Sequence, residues 1–589
     1  MYGGRIYKSC LTLSHHDGLL GLISLNTRWN CPVPAYPSKQ FISNIICDKA
    51  EGVACIQILP RLSTSPDIVY YDNCVANLYA AFKRQCTGTP APDEGFLDSF
   101  FVYFNDIILV EIQELLIDFH YSYDVWYNHL TAIQQCSMDG LDPNELFVRT
   151  ANIFCKSEKQ MLEGDEYPKN RAISALCEEH KYVMGPVVYA LEQYFKKFKG
   201  YGGGKTWDDV GKQITDWRNR GLTCVVQSDI SGMDRSVTQR IKEIGIAVYR
   251  LVSHRIHHVS LDLWEFHAYA SNTKITTNFY VEKSSYTLGN VNMFGEVFSG
   301  SSDTTFLNTL ITVCFNRYVC ERVLCLSIND YDLTAKGDDS VVVLNNSVDK
   351  ADIRRAYAQV YYTAALIKHP FTCYIARHGC GMVLKFLSIS DDLDDIDYCS
   401  TNCYYCDKCQ SYKLTRKIDR FFHLTPWADS ILNLPRKAQL AYMQNLYLSN
   451  LRWMEGLPLF SQFNDLLRTD VYCAYALVGK VKNTRNLSQI DYNWYHSMFD
   501  TQKDIKINSY QRQFGKNHAF SVINQNSQPK ECCAISYKSW LFDKLGLNNQ
   551  ALTQIINDIN LNHGDVLYSP TLSLSLIEYD KHRERLLLS

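Results

Sequence analysis

Apolar positions along the chain fall into runs whose periods predict distinct elements. Residues 222–227 form a short apolar, β-branched run, which predicts a buried strand. Residues 333–344 predict strand, tight turn at Gly337, strand. Phe306, Leu307, Leu310, Ile311, Val313, Cys314 and Tyr318 recur at helical spacing and predict a helix over 304–321. A helix is expected over 182–198, broken by Gly200-Tyr-Gly-Gly-Gly204, and another over 207–218, stopped at Gly221. Beyond about residue 411 the pattern is mostly helical, with basic and aromatic faces. Residues 1–155 mix short apolar runs with proline punctuation, as at Cys31-Pro-Val-Pro-Ala-Tyr-Pro37, and carry no motif with a nameable chemistry. The sequence has no internal repeat and no low-complexity linker.

Composition narrows the class. With 589 residues, 46% hydrophobic and 21% charged, the chain is neither disordered nor fibrous, and its length suits a few domains or one large enzyme with subdomains. The 39 Tyr and 27 Phe supply material for cores and for base-stacking surfaces. A net charge of −3 does not favour nucleic acid as a partner, although phosphate binding needs a locally positive channel rather than a positive total. The N-terminus MYGGRIYKSCLTLSHH lacks the pattern of a secretory signal, so the 22 cysteines are expected to be reduced thiols or metal ligands. The longest apolar candidate, 100–116, is interrupted by Asn105, Asp106 and Glu111, so no spanning helix is expected and membrane association would come through a surface or a partner.

Three segments carry candidate chemistry. Asp229-Ile-Ser-Gly-Met-Asp234 puts a carboxylate at the end of the predicted strand, where it is rigidly placed for a hard cation. Alone, it reads equally as a strand-to-helix junction with a capping Asp. Lys336-Gly-Asp-Asp339 puts two adjacent carboxylates at a hairpin tip, where their repulsion calls for a cation or hydrogen bonds. The tripeptide alone is also an ordinary surface turn. Ser299-Gly-Ser-Ser-Asp-Thr-Thr-Phe-Leu-Asn308 leads into the predicted helix, with Thr304 and Asn308 on one helical face; N-capping by Ser or Thr is natural there too.

The order and spacing of the three resemble motifs A, B and C of the RNA-dependent RNA polymerases of positive-strand RNA viruses. Motif A is Asp, four residues, Asp; motif B is Ser-Gly with Thr five and Asn nine after the Ser; motif C is Gly-Asp-Asp. Tyr167-Pro-Lys-Asn-Arg-Ala-Ile-Ser174 resembles the basic motif F, and 182–197 resembles the segment after it in tombusvirus-like and nodavirus-like enzymes. Residues 351–368 sit where motif D belongs, and Lys385-Phe-Leu-Ser388 resembles motif E, the primer-grip hairpin. The likeness covers about residues 156–390. Motif B looks picornavirus-like, but Asp303 stands where those enzymes tend to have Gly, and Lys336 precedes the motif C Gly where many relatives carry Tyr.

The resemblance implies an α+β right-hand fold of fingers, palm and thumb, with an antiparallel palm sheet backed by helices. It implies an N-terminal extension with part of the fingers at 1–155, fingers with motif F at 156–228, motif A at 229–250, a fingers insertion at 251–290, motifs B to E at 291–398, a cysteine cluster at 399–410, and thumb and tail at 411–589. Asp229 and Asp338, assisted by Asp339, would hold two Mg²⁺ (or Mn²⁺), one activating the 3′-hydroxyl and the other on the triphosphate. Arg171 and Lys169 would neutralise phosphates, and Lys368 would donate a proton to pyrophosphate. Asp234, Ser299, Thr304 and Asn308 would select the ribose. Implied partners are an RNA template and product duplex, ribonucleoside triphosphates and viral replication proteins. The implied place is the host cytoplasm, in membrane-associated complexes formed through partners. A reverse transcriptase shares the palm and paired Asp, but Asp234 and Asn308 oppose it; a silent RNA-binding replication scaffold is opposed by the intact carboxylates.

Other features were weighed beside these. Cys399, Cys403, Cys406 and Cys409 are candidate Zn²⁺ ligands by spacing, with a His or Cys from elsewhere as a variant and chance clustering as the alternative. Gly204-Lys-Thr206 has the wrong glycine spacing for a phosphate loop and follows a predicted helix, so a flexible loop is expected. The basic stretch 413–420 suits either a duplex backbone or solvent, and 581–589 either packs or stays mobile.

Overall fold

The computed structural model describes residues 5–7, 53–65, 68–70, 90–142, 145–146, 148, 150–156, 159–161, 171–271, 274–281, 284–292, 297–362, 378–428, 446, 450, 454, 456–467, 531–561 and 566–588. Within them the architecture is mixed α+β.

The central sheet has four strands: β1 (Leu222–Ile230), β2 (Tyr331–Lys336), β3 (Asp339–Asn345) and β4 (Leu384–Ser390). Their order is β2-β3-β1-β4 and every pairing is antiparallel. Its apolar runs are continuous because both faces are covered. Cys224, Val226, Val342 and Leu344 face the largest core, while Val225, Val341 and Val343 face a second one, the alternation a strand imposes. The first face is backed by α1 (Gln239–Ser253) and α2 (Thr304–Tyr318). Ile241, Ile244 and Val248 of α1 and Phe306, Leu310 and Ile311 of α2 are fully buried. The second face is covered by the helix Trp207–Asn219 through Val210, Ile214 and Trp217. Each such buried aliphatic stabilises the fold by roughly 1.5–3 kcal/mol.

A second sheet runs in the order Ser284–Asn292, Lys274–Val281, Thr150–Cys155, Ala172–Leu176. Three of its strands thus come from outside the segment 156–228, and the inner pair, Thr150–Cys155 with Lys274–Val281, is parallel.

Lys385-Phe-Leu-Ser388, expected in a hairpin, instead lies in β4, the edge strand beside β1. The hairpin comes next, as Thr401–Cys406 paired with Ser411–Arg416. The basic stretch 413–420 is therefore the end of a strand and the start of the helix Ile418–Leu424.

Residues 94–115 are continuously helical, with a π-helical turn at Phe104–Ile108. Leu97, Phe100, Phe104, Ile108 and Ile112 pack into the largest core, so Asn105 and Asp106 mark the wet face rather than a break. A separate C-terminal core is built by α3 (Glu531–Leu545) and the helices Asn549–Asn560 and Pro570–Leu588. Ile58, Leu59 and Leu62 join it, and Arg61–Leu62 pairs in parallel with Val566–Leu567. Residues 581–588, left open by the sequence, continue the last helix.

Candidate active site

Asp229 is the penultimate residue of β1, and Asp339 is the first of β3. Ser340 pairs with Ser228, so the antiparallel register, carried one residue further, sets Asp339 opposite Asp229 on the neighbouring strand. Lys336 pairs with Asp339, which closes a tight turn of Gly337 and Asp338. Gly337 takes φ +64°, a region open to glycine and costly for other residues. That turn is held by α2 from both sides. Thr309 Oγ1 accepts from the Gly337 N–H at 2.9 Å, and Thr312 Oγ1 donates to its carbonyl at 2.7 Å.

The convergence of carboxylates has an electrostatic cost. Burial and the neighbouring Asp229 push the Asp338 carboxyl above its ordinary range. Burial, then Asp338 and Asp229, push Asp339 up to about 6. Three half-buried carboxylates, with Asp338 and Asp339 held above their ordinary range, form a hard oxygen donor set, which suits Mg²⁺ or Mn²⁺. Lys385 already answers part of that demand. The pairing of β4 with β1 slips between Leu384 and Phe386, and this bulge carries Lys385, whose Nζ lies 3.2 Å from Asp229 Oδ2.

Asp234 lies one turn beyond β1, where Asn308 of α2 donates to its Oδ1 at 2.6 Å. Burial raises Asp234 to about 6, and the Asn308 bond opposes that rise. The side-chain oxygen of Asn308 is buried and has no hydrogen-bond partner among the described residues. Ser299 Oγ accepts from the Ser174 N–H at 3.0 Å and donates to the Ala172 carbonyl at 3.3 Å. Gly300 N–H donates to Ser174 O at 3.1 Å, so the loop before α2 is laced to the strand Ala172–Leu176. Thr304 Oγ1 is turned into its own loop, donating to Phe298 O at 2.5 Å. Arg171 is exposed at the start of that strand and is felt electrostatically by both Asp338 and Asp234. Lys169 and Lys368 lie outside the described residues.

Asp303, the departure from the expected motif B, anchors the loop from below. Its carboxylate receives His267 Nδ1 at 3.1 Å, Tyr249 Oη at 3.2 Å and Ser301 Oγ at 2.6 Å. His267 holds it well below the usual carboxylate range against its burial. The Gly200–Gly204 segment is not a loose loop. Gly202 N–H donates to Ala335 O at 2.7 Å, and Ala335 N–H donates to Gly200 O at 2.8 Å, which attaches the segment to β2. A Cβ on Gly202 would meet Ala335 O at 2.6 Å, so glycine is required. Thr206 is an N-cap, as its bond from the Asp209 N–H at 3.2 Å shows.

The expected cysteine quartet is corrected. Cys399 lies in the turn before the hairpin, where it interacts electrostatically with Asp339. Cys403 is buried, with its sulfur 3.0 Å from Leu393 O. Cys406 and Cys409 instead converge with Cys532 and Cys533. Spacing grouped the four neighbours in sequence, whereas an extended strand from 401 to 406 carries Cys399 and Cys403 away from Cys406 and Cys409.

Sequence reasoning also missed Thr309, Thr312 and the bulge that aims Lys385. Thr305, Asn308, Thr309, Thr312 and Asn316 form a polar stripe at helical spacing in the sequence, which is the signal that finds the first two.

A strand-borne aspartate, an Asp-Asp hairpin and a helix bearing Asn308 together describe a polymerase of nucleic acid. Residues 284–414 match the family model described as viral RNA-directed RNA-polymerase, and the enzyme class is RNA-dependent RNA polymerase. The matched stretch includes Ser299–Asn308, Lys336–Asp339 and most of the hairpin, while Asp229 and Asp234 lie before it. The family acts in RNA-templated RNA synthesis, so RNA and ribonucleoside triphosphates are its partners. No curated protein matches the chain. Among the described residues no helix is long and apolar enough to cross a membrane.

Proposed function

We propose that the chain replicates a viral RNA genome by two-metal-ion nucleotidyl transfer at Asp229, Asp338 and Asp339. The observation that carries this is the meeting of the three carboxylates at the β1 end and the β2–β3 turn, with two of them held above their ordinary range. Divalent ions bound there would supply Lewis-acid activation of the 3′-hydroxyl and charge stabilisation on the triphosphate.

The rest falls to the chain's own residues. Asp229 and Asp338 are the proposed ligands, and Asp339 assists them. Arg171 receives the triphosphate, helped by Lys169, and an arginine fork suits that task. Asp234 orients Asn308, whose unpartnered oxygen accepts from the ribose 2′-hydroxyl. Ser299 and Thr304 fix the loop on which that contact depends rather than reaching for the sugar themselves. Lys368 is retained as the proton donor to pyrophosphate on the strength of the resemblance alone. In this reading the antiparallel sheet is the palm of a right-hand fold, the sheet containing Ala172–Leu176 belongs to the fingers, and the C-terminal helices to the thumb. The virus group in this reading is tombusvirus-like or nodavirus-like, and the work takes place in host cytoplasm within membrane-associated complexes formed through partners.

Primer extension on an RNA template with Mg²⁺ tests the reading, comparing wild type with Asp338→Ala. Ribonucleotide incorporation that disappears in the variant is expected. Preferred incorporation of deoxynucleotides would favour a reverse transcriptase instead, and firm RNA binding with no incorporation by folded wild type would favour a scaffold.

A further inference from the structure

Cys406 ends the first strand of the 401–416 hairpin and Cys409 lies in its turn, and Cys532 and Cys533 lie in the first turn of α3. Although Cys409 and Cys532 are 123 residues apart in sequence, their sulfurs stand at 3.5 Å. Cys409 Sγ is 3.8 Å from Cys533 Sγ, and all four sulfurs lie within 4.8 Å of one another. Cys406 and Cys533 are buried and the other two half-buried.

Three chemistries compete for such a quartet. A disulfide needs sulfurs about 2.05 Å apart, and all four cysteines are free thiols. Four thiols packed without an ion would be weak donors facing weak acceptors, a poor return for burying them. A single tetrahedral ion with metal–sulfur bonds of about 2.3 Å sets its sulfurs about 3.8 Å apart, close to the separations found here. Tetrahedral S₄ sites select zinc, or iron in a sulfur cluster, and a multi-iron cluster would hold its four sulfurs further apart than one ion does. The first turn of α3 adds the positive end of a helix dipole, which favours thiolate over thiol at Cys532 and Cys533.

We propose that Cys406, Cys409, Cys532 and Cys533 form a structural Cys₄ zinc site that fastens the 401–416 hairpin to the C-terminal helices. The four ligands leave no open position, so the site is a staple and not a centre of reaction. Its place gives it a mechanical role. The strand Thr401–Cys406 runs from the site to the turn that holds Cys399, which interacts electrostatically with Asp339. Zinc at one end of the strand would therefore fix the position of the other end beside the catalytic carboxylates. This inference stands on the sulfur geometry and does not depend on the polymerase reading.

The test is metal content of the full chain purified without chelator under reducing conditions. About one zinc per chain is expected, reduced to background in Cys409→Ser and Cys532→Ser and retained in Cys399→Ser. Cobalt exchanged into wild type should give the visible bands of tetrahedral thiolate coordination, a readout that holds even where a variant fails to fold. The proposal is overturned by absence of zinc with all four thiols open to alkylation in the native protein. A Cys409–Cys532 disulfide in the non-reduced peptide map, iron in place of zinc, or loss of zinc from Cys399→Ser with retention in Cys532→Ser would overturn it equally.

Discussion

Lys385 holds its ammonium 3.2 Å from the Asp229 carboxylate, and it does so from a bulge in the strand beside it. An unbulged strand would alternate side chains strictly, whereas the extra residue re-aims one of them. The ammonium stands where positive charge is in demand and is itself largely exposed, so it can leave when a divalent ion arrives. Lys385→Gln should therefore lower the Mg²⁺ concentration for half-maximal incorporation by about 2- to 5-fold, the scale of an exposed ion pair. A rise in that concentration would instead assign Lys385 to the triphosphate.

The paired aspartates should cost stability that their function requires. The folded-state value of Asp339 is raised to about 6, so folding favours its protonated form. For a raised carboxyl the penalty is absent below the unfolded value, near pH 4, grows as pH rises, and is complete above about pH 6. Metal-free Asp339→Asn should be more stable than wild type at pH 8 by about 1–3 kcal/mol and nearly equal at pH 4, while incorporation falls. Denaturant melts at the two pH values decide this, and an equal gain at both would remove the electrostatic explanation.

Asn308 donates its amide N–H to Asp234, while its buried side-chain oxygen has no partner among the described residues. Losing a hydrogen bond to a hydroxyl with a charged partner behind it costs about 1.5–3 kcal/mol. Asn308→Ala should therefore narrow the preference for ribonucleotides over deoxynucleotides by roughly 10- to 150-fold. The effect should appear in kcat/KM for the ribonucleotide, with that for the deoxynucleotide little changed. A parallel loss for both would show that the bond serves only to hold the helix.

The legible parts of this protein are the local ones. Asp229, Gly337, Asp338 and Asp339 were found because a strand period and a glycine turn are written in neighbouring residues. The covering of both faces of the sheet was likewise visible in Val341, Val342 and Val343 standing in succession. Lys385 was noticed but misplaced, because a bulge leaves no mark in the residue types around it. Cys532 and Cys533 were unreachable, since only the folded chain brings α3 to the hairpin. Thr309 and Thr312 were readable as polar residues in an apolar helix, but periodicity alone does not say which turn they grip. Glu111 was read as an interruption of an apolar run because its partner is 206 residues away.

That partner is Arg317, whose side chain is 1% exposed. Its two terminal nitrogens reach Glu111 at 2.6 and 2.7 Å, and its Nε reaches Glu321 at 2.9 Å. Glu321 also accepts from Tyr103 at 2.7 Å and from Tyr331, the first residue of β2. One arginine thus ties the helix over 94–115 to α2 and to the hairpin that carries Asp338. Removing the buried guanidinium leaves Glu321 charged and largely desolvated, while Glu111, 38% exposed, keeps water around its carboxylate, so Arg317→Leu should destabilise the fold toward the lower end of about 3–5 kcal/mol. Replacing the carboxylates as well, in Arg317→Leu with Glu111→Leu and Glu321→Leu, should recover most of that loss, because an apolar cluster of similar volume has no desolvated charge to support. Unfolding in denaturant measures both variants. If the triple variant is no more stable than the single one, the packing of the guanidinium over the Phe198 ring outweighs its charge, and the network acts chiefly as a filler of space.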